Sequence, residues 1–489
     1  MDGHAYQCGN HFFFAFGEFA PYGNYNYIAP YSHETFHALV LSVFTIALLC
    51  DWVNQGKIWT TIAAGLCTGL VFVTKPDIFI ALALAAAVAF MLFRLKHGRG
   101  RFLRALTGFI CAAMIPSLCF LIYFTGMENA HGSLRSVFFG WLPLFQGTIA
   151  KNPFYLWCMG MDQPLIHLRE IVLYFSVIVF VVVVYAFVLR CLKKFNWLKL
   201  QYTVLIVLIS PLLIWAATFE WFQCGWPLPP LCLSACLLIL WNYKKMEQPP
   251  VFPLVWSIFA LVLLAKLGLF PRIWHYGFAL AMPAFASSVY LLFWLLPNLL
   301  EKRFHVPSIQ FRIMVGLVLV IGYRNLFDFS QATYNRKSLA LGNGGDQIIT
   351  YNTSDLNQGV KSQGIYAALL WTEQYLPTNA TLAVLPEGVT LNYLTRHANP
   401  TPCLFWDPNC LAMFGQSNMV AAFEQNPPDY FCIVDRDYSE FHAGYFGSSP
   451  DFGQGLMEWI GKNYRPQILI GSEPLKDGRF GIKILKRLK

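Results

Sequence analysis

The chain carries about ten apolar spans, and between them Lys and Arg fall almost entirely into alternate loops. The spans run near 35–53, 58–74, 78–94, 105–126, 170–190, 202–219, 225–241, 251–269, 276–297 and 312–327. Each approaches the ~20 apolar residues that cross a bilayer core. About fifteen basic residues stand in the loops after the first, third, fifth, seventh and ninth spans, among them Lys57, Arg94, Arg101, Lys193, Lys194, Lys244, Lys245 and Arg303. The alternate loops hold about five: Lys75, Arg135, Lys151, Arg169 and Arg272. The positive-inside bias therefore assigns the first set to the cytoplasm and both termini to the opposite face.

Composition points the same way: 56% of the 489 residues are hydrophobic, 12% are charged, and mean hydropathy is +0.48. A net charge of +9 would ordinarily raise the question of nucleic acid. Here the basic residues cluster at loop ends where membrane orientation already accounts for them, so no nucleic-acid partner is expected. The thirteen cysteines are scattered, many within spans, without CxxC or metal-type spacing. They read as small apolar packing residues, and no metal or cofactor is expected. Cys403 and Cys410 differ: they stand seven apart in a polar outer segment, where an oxidising compartment would permit a disulfide.

Three divisions follow: an extracytoplasmic N-terminal segment at 1–34, a membrane domain at 35–329, and a polar region at 330–489. Residues 1–34 lack the charged start and long apolar run of a signal peptide. With the N-terminus outside, this leads to the expectation that the chain begins mid-protein, with a membrane helix and an outer loop upstream. The C-terminal region alternates helical and strand-like stretches. A helix is expected at 364–376, strands at 381–385, 429–434, 467–470 and 480–485, and a helix at 456–463. The fold class is thus a mostly α, polytopic transmembrane helix bundle followed by a small α/β extracytoplasmic C-terminal domain. A doubly wound sheet is one form that domain could take, although neither GxGxxG nor a P-loop is present.

Chemistry belongs in the outer loops, where three clusters stand out. Residues 24–34, Asn-Tyr-Asn-Tyr-Ile-Ala-Pro-Tyr-Ser-His-Glu, lead into the first span, with His37 one turn beyond. One reading is an aromatic belt with Ser32 as N-cap and Glu34 favourable in the first turn. The other is a binding rim, because Asn24, Asn26, His33, Glu34 and His37 supply more donors and acceptors than anchoring needs. Thr74-Lys75-Pro76-Asp77 forms a tight outer hairpin in which Lys75 is either an anion-binding cation or paired with Asp77 or snorkelling to the interface. Lys266, Arg272, His275 and Tyr276 surround the hairpin between spans eight and nine. Two cations there could clamp a phosphate leaving group, or Lys266 could be one half of a structural ion pair. The outer segment 127–170, with Trp141, Trp157, His167 and three prolines, reads as interfacial helices or a lid.

Two of these clusters resemble a known group. Residues 64–77, Ala-Gly-Leu-Cys-Thr-Gly-Leu-Val-Phe-Val-Thr-Lys-Pro-Asp, are similar to the Gly-rich helix ending in Lys-Pro of bacterial membrane glycosyltransferases related to protein O-mannosyltransferases and lipid A aminoarabinose transferases. Residues 272–284 and 385–394, the latter Leu-Pro-Glu-Gly-Val-Thr-Leu-Asn-Tyr-Leu, also resemble members of that group. The resemblance implies a C-type glycosyltransferase of the inverting, metal-independent kind in the bacterial inner membrane. It would move a sugar from a polyprenyl-phosphate donor to an envelope lipid, glycan or protein. His33, Glu34, His37, Lys75, Lys266, Arg272, His275 and Tyr276 are then the expected substrate-binding residues. The catalytic base of the group lies in the first outer loop. It has no counterpart in the sequence, since Asp2, Glu18 and Glu34, the acidic residues before the first span, do not match its context. A lipid-linked sugar flippase or an inactive scaffold are the competing readings, the first disfavoured by the lack of an internal repeat.

Overall fold

Every apolar span becomes a helix. The computed structural model describes residues 14, 17–19, 25–28, 31–140, 142, 151–192, 198–243, 250–305, 307–352 and 358–488. Asn24, Lys193, Lys194, Lys244 and Lys245 lie outside the described residues. The helices are α1 His33–Gln55, α2 Ile58–Thr74, α3 Pro76–His97, α4 Arg99–Thr125, α5 Pro164–Leu192, α6 Leu198–Thr218, α7 Trp221–Asn242, α8 Val251–Leu267, α9 Gly277–Phe304 and α10 Ser308–Asn335. Among the described residues, seven of them are long and apolar enough to cross a membrane: α1, α3, α4, α5, α7, α9 and α10. The chain is a multi-pass membrane protein.

The expected ten crossings are therefore met by length and apolarity at seven. Helices α2 and α8 have 17 residues each, roughly 26 Å at ~1.5 Å per residue, short of a ~30 Å hydrocarbon core. Their ends are set locally. Pro76 stops α2 because a proline disfavours helical backbone at the residue before it, and Gly268, at φ 59°, turns the chain out of α8. In α6 the apolar part described is Ile209–Thr218. Helix α9 is one segment built in pieces, with Pro283 and Pro297 at first-turn positions and a π-turn at Tyr290–Leu295 between them.

Small residues decide how the first four helices meet. A side chain at Gly65 would lie 2.3 Å from the Phe109 carbonyl oxygen, and one at Gly69 would lie 2.1 Å from that of Ala113. The Gly-x-x-x-Gly face of α2 thus lets the α4 backbone approach to contact distance. Ala81, Ala85 and Ala89 of α3 are fully buried beside Leu39, Ile46 and Trp52 of α1. Trp52 stacks on Phe93 with ring centroids 3.8 Å apart. Helix α5 does the opposite: Phe180, Val183 and Phe187 are exposed, an apolar face that only lipid can solvate.

The chain divides into two compact units, 1–141 with 157–331 and 142–156 with 332–489. In the second, β1 (Lys337–Leu341) and β2 (Ile348–Tyr351) form a hairpin that the sequence analysis did not anticipate. Four further strands, β3 (Leu382–Leu385), β4 (Tyr430–Val434), β5 (Tyr464–Gly471) and β6 (Gly481–Arg487), make a sheet in the order β3-β4-β6-β5. Only β3 and β4 are parallel; β4–β6 and β5–β6 are antiparallel. The doubly wound alternative is thereby corrected. A short connection, 472–480, turning at Asp477-Gly478, joins β5 to β6 as an antiparallel hairpin. Successive residues of β4 face opposite sides, Phe431 and Ile433 into one core with Leu456 and Ile460, Tyr430 and Cys432 into another with Ala368 and Leu369. The sheet is therefore covered by helices on both faces. Cys403 and Cys410 are free thiols half-buried at the first of these cores, and burial pushes the Cys410 thiol up to about 12, with Asp407 adding to the effect.

Candidate functional site

The three sequence clusters converge at one end of the helix bundle, where α1 and α3 begin and α2 and α8 end. Lys75 is the single residue between α2 and α3, in extended backbone (φ −152°, ψ 96°), as the following proline requires. Its Nζ donates to Glu34 Oε1 at 2.9 Å. The same oxygen accepts from Ser32 Oγ at 2.6 Å. Ser32 occupies the N-cap position of α1 but makes no side-chain cap bond to the backbone; its hydroxyl serves Glu34 and Thr35 instead, the latter at 2.7 Å.

The expected local alternative, Lys75 with Asp77, does not form. Asp77 lies in the first turn of α3, two residues on, and neighbours at that spacing diverge around a helix. Its carboxylate accepts from Lys266 Nζ, a pairing across 189 positions. Lys266 stands in the last turn of α8 and Asp77 in the first turn of α3, each at the helix end whose dipole favours its charge. Lys266 is also 6.0 Å above the Tyr276 ring, within cation–π reach. Lys75 and Lys266 thus each have a carboxylate, supplied by a different helix.

An aromatic rim surrounds these pairs. Tyr25 lies 5.0 Å from Tyr31, 4.7 Å from His275 and 5.7 Å from Tyr276. Tyr27 donates its hydroxyl to the Phe278 carbonyl at 3.0 Å. His33 and His37, one helical turn apart and exposed, have ring centroids 6.3 Å apart. Offset aromatic faces edged by hydrogen-bonding groups are favourable surfaces for a polar ring with apolar faces.

Arg272 takes a different place from the one its residue type led us to expect. It is 3% exposed, donating to the carbonyls of Cys158 at 2.9 Å and Phe270 at 3.4 Å and facing His275 Nδ1 at 3.4 Å. Its guanidinium is 4.8 Å from the Phe270 ring, 5.2 Å from Trp274 and 5.5 Å from Trp157. The backbone around it interlocks through glycines. A side chain on Gly277 would meet the Arg272 carbonyl oxygen at 1.9 Å, and one on Gly225 would meet that of Pro271 at 2.3 Å. Arg272 is packed into the 268–276 loop, among carbonyls and aromatic rings. The signal for this was in the sequence: an Arg flanked by Phe270 and Trp274 has ready-made cation–π partners.

Of the eight expected residues, Glu34, Lys75, Lys266 and Tyr276 meet at the rim, His33 and His37 flank it, and Arg272 and His275 lie beneath. Asp77 and Tyr25 complete the arrangement and were not among the expected binding residues. His275 has φ 54° and is buried. Burial, followed by the Arg272 charge, lowers it from 6.5 to about 4. The neutral ring is therefore the folded form. Between about 6.5 and 4 the unfolded chain binds the extra proton, so this contribution is complete above the upper value and is lost as pH falls through the window. Thermal melts in detergent should weaken with acid more steeply for the wild type than for His275→Gln; parallel profiles would contradict the burial.

Elsewhere in the helix bundle, an apolar cavity of about 180 Å³ lies among α5, α6, α7, α9 and α10, walled by Val181, Leu212, Trp215, Leu228, Val289 and Val318. Among the described residues, His, Cys, Asp and Glu side chains do not gather into a group of three or more that would hold a metal ion. No protein-family model matches the chain, and no curated protein matches it.

Proposed function

We propose that the protein is a membrane glycosyltransferase that moves a sugar from a polyprenyl-phosphate donor to an acceptor hydroxyl of an envelope lipid, glycan or protein. The observation that carries this reading is the pair of lysines, Lys75 and Lys266, held under an aromatic rim at one end of an apolar helix bundle. Each lysine is held only by a partly exposed carboxylate, and an ammonium is a strong binder of phosphate oxygens. The cavity within the bundle suits a hydrocarbon chain arriving from the bilayer, while His33, His37, Tyr25 and Tyr276 suit the sugar.

In this reading the bond between the anomeric carbon and the donor phosphate breaks as the acceptor oxygen attacks from the opposite side. Negative charge grows on the leaving phosphate, and the lysines stabilise it more in the transition state than in the ground state. Arg272 and His275 contribute by fixing the loop that carries Tyr276. The alternation of basic loops supports a rim on the outer face, in this reading that of a bacterial inner membrane.

Replacing Lys75 by Ala is expected to weaken binding of a labelled polyprenyl-phosphate sugar about tenfold, the scale of one charge-assisted contact, while the protein stays folded. Undiminished donor affinity in a folded variant would remove Lys75 from the site. Transfer of label to an envelope acceptor by the purified wild type tests the activity itself; a folded, donor-binding protein without transfer would turn the reading towards transport.

A further inference from the structure

The two ion pairs pose a question that the proposed function leaves open: if both outer lysines are occupied by carboxylates, how does phosphate gain them? Glu34 and Asp77 cancel the charge of Lys75 and Lys266 one for one. The pairs are half-exposed rather than sealed, with Glu34 at 47% and Asp77 at 32% side-chain exposure. Pairs this wet are weak, worth ~0–1 kcal/mol, and a phosphate with several acceptor oxygens can outcompete a carboxylate for an ammonium.

We propose, on the basis of the glycosyltransferase reading, that these are exchangeable pairs. Donor phosphate draws Lys75 and Lys266 away from Glu34 and Asp77, and Glu34, uncovered by the exchange, accepts the proton of the acceptor hydroxyl. Geometry selects Glu34 over Asp77 for the second role. Both of its side-chain donors, Ser32 and Lys75, bind the same oxygen, Oε1, which leaves Oε2 without a side-chain donor. When Lys75 leaves, Ser32 still holds the carboxylate in place. Glu34 also stands beside the exposed His33 and His37, where an acceptor would approach.

The step balances. The acceptor O–H bond breaks and its proton passes to Glu34; the acceptor oxygen bonds to the anomeric carbon; the carbon–oxygen bond to phosphate breaks and its electron pair departs on the phosphate. The donor phosphodiester carries one negative charge and the leaving phosphate gains a second, so the lysines are drawn further from their carboxylates as the reaction advances. A resting pair of this kind keeps two cations at a membrane surface without binding every anionic headgroup.

The exchange makes a prediction of unusual sign. Binding of polyprenyl phosphate, presented in phosphatidylcholine nanodiscs, should tighten about twofold to fivefold in Glu34→Gln and in Asp77→Asn, because each frees a lysine. Glu34→Gln should also lose transfer by about a hundredfold or more, the usual scale of a missing general base. A Glu34→Gln protein with wild-type melting temperature that binds no tighter would overturn the exchange, and Asp77→Asn gives the same test at the second pair. Retained transfer in Glu34→Gln would remove Glu34 as proton acceptor. If the wild type binds no polyprenyl phosphate, the phosphate site itself fails, and the exchange with it; if it binds and the variants do not tighten, only the exchange fails.

Discussion

Gly69→Ala should sharply reduce the yield of monodisperse protein and lower its melting temperature in detergent, while Gly108→Ala should leave both unchanged or slightly improved. Both residues lie on helices of the α2/α4 pair, and both changes add one methyl group. At Gly69 that methyl would stand 2.1 Å from the Ala113 carbonyl oxygen and 2.9 Å from Pro116 Cδ, so two backbones must separate. At Gly108 it would meet only the flexible Ile62 side chain, at 3.5 Å. Overpacking costs typically ~1–3 kcal/mol, and more where backbone must move. Removing a helical glycine without a clash gains ~0.5–1 kcal/mol. The opposite signs separate close helix approach from helix propensity. A Gly69→Ala protein as stable as Gly108→Ala would mean that α2 and α4 do not meet through this face. Because α2 ends at Lys75, a surviving Gly69 variant should also misplace the Lys75–Glu34 pair and, under the proposed function, bind a polyprenyl-phosphate donor more weakly.

What the sequence made legible was what neighbouring residues decide. Apolar runs, the Pro76 break and the positions of charge at helix ends are local, and the helices appear where the runs predict them. Length was legible as well: the expected span 58–74 is α2 itself and 251–269 is α8 to within two residues, both short because a proline and a glycine cut them. Partners were not legible at all. Lys75 finds Glu34 across 41 positions and Lys266 finds Asp77 across 189, and no periodicity carries that information. The same holds for the C-terminal sheet, whose strands were foreseen but whose order β3-β4-β6-β5 depends on contacts between distant segments. The surroundings of Arg272 were hard to read for a different reason. A cation in an outer loop suggests a ligand, but three aromatic rings and two carbonyls are an equally good environment for a guanidinium, and this loop supplies them.

The Arg272 environment yields the second large effect. Arg272→Ala should lower the melting temperature more than Lys75→Ala does, since it empties an aromatic box and strips donors from the Cys158 and Phe270 carbonyls. Leaving part-buried acceptors unmet costs up to ~1–3 kcal/mol each, and vacating a buried side-chain volume adds to that. Arg272→Lys should recover only part of the loss: an ammonium keeps the charge but lacks the planar fork that reaches two carbonyls while stacking on rings. Arg272→Met would retain most of the packing volume and lose the donors, and should fall between the two. Donor affinity should follow stability through the series, because the 268–276 loop connects α8, which carries Lys266, to Tyr276. The opposite pattern, unchanged melting with lost affinity, is what a phosphate clamp would give. It would place Arg272 in contact with the donor and require the 268–276 loop to open when lipid binds. The glycine contacts weigh against such opening: Gly225 and Gly277 each touch the backbone at 271–272, so exposing the guanidinium would break two backbone contacts and the aromatic box together.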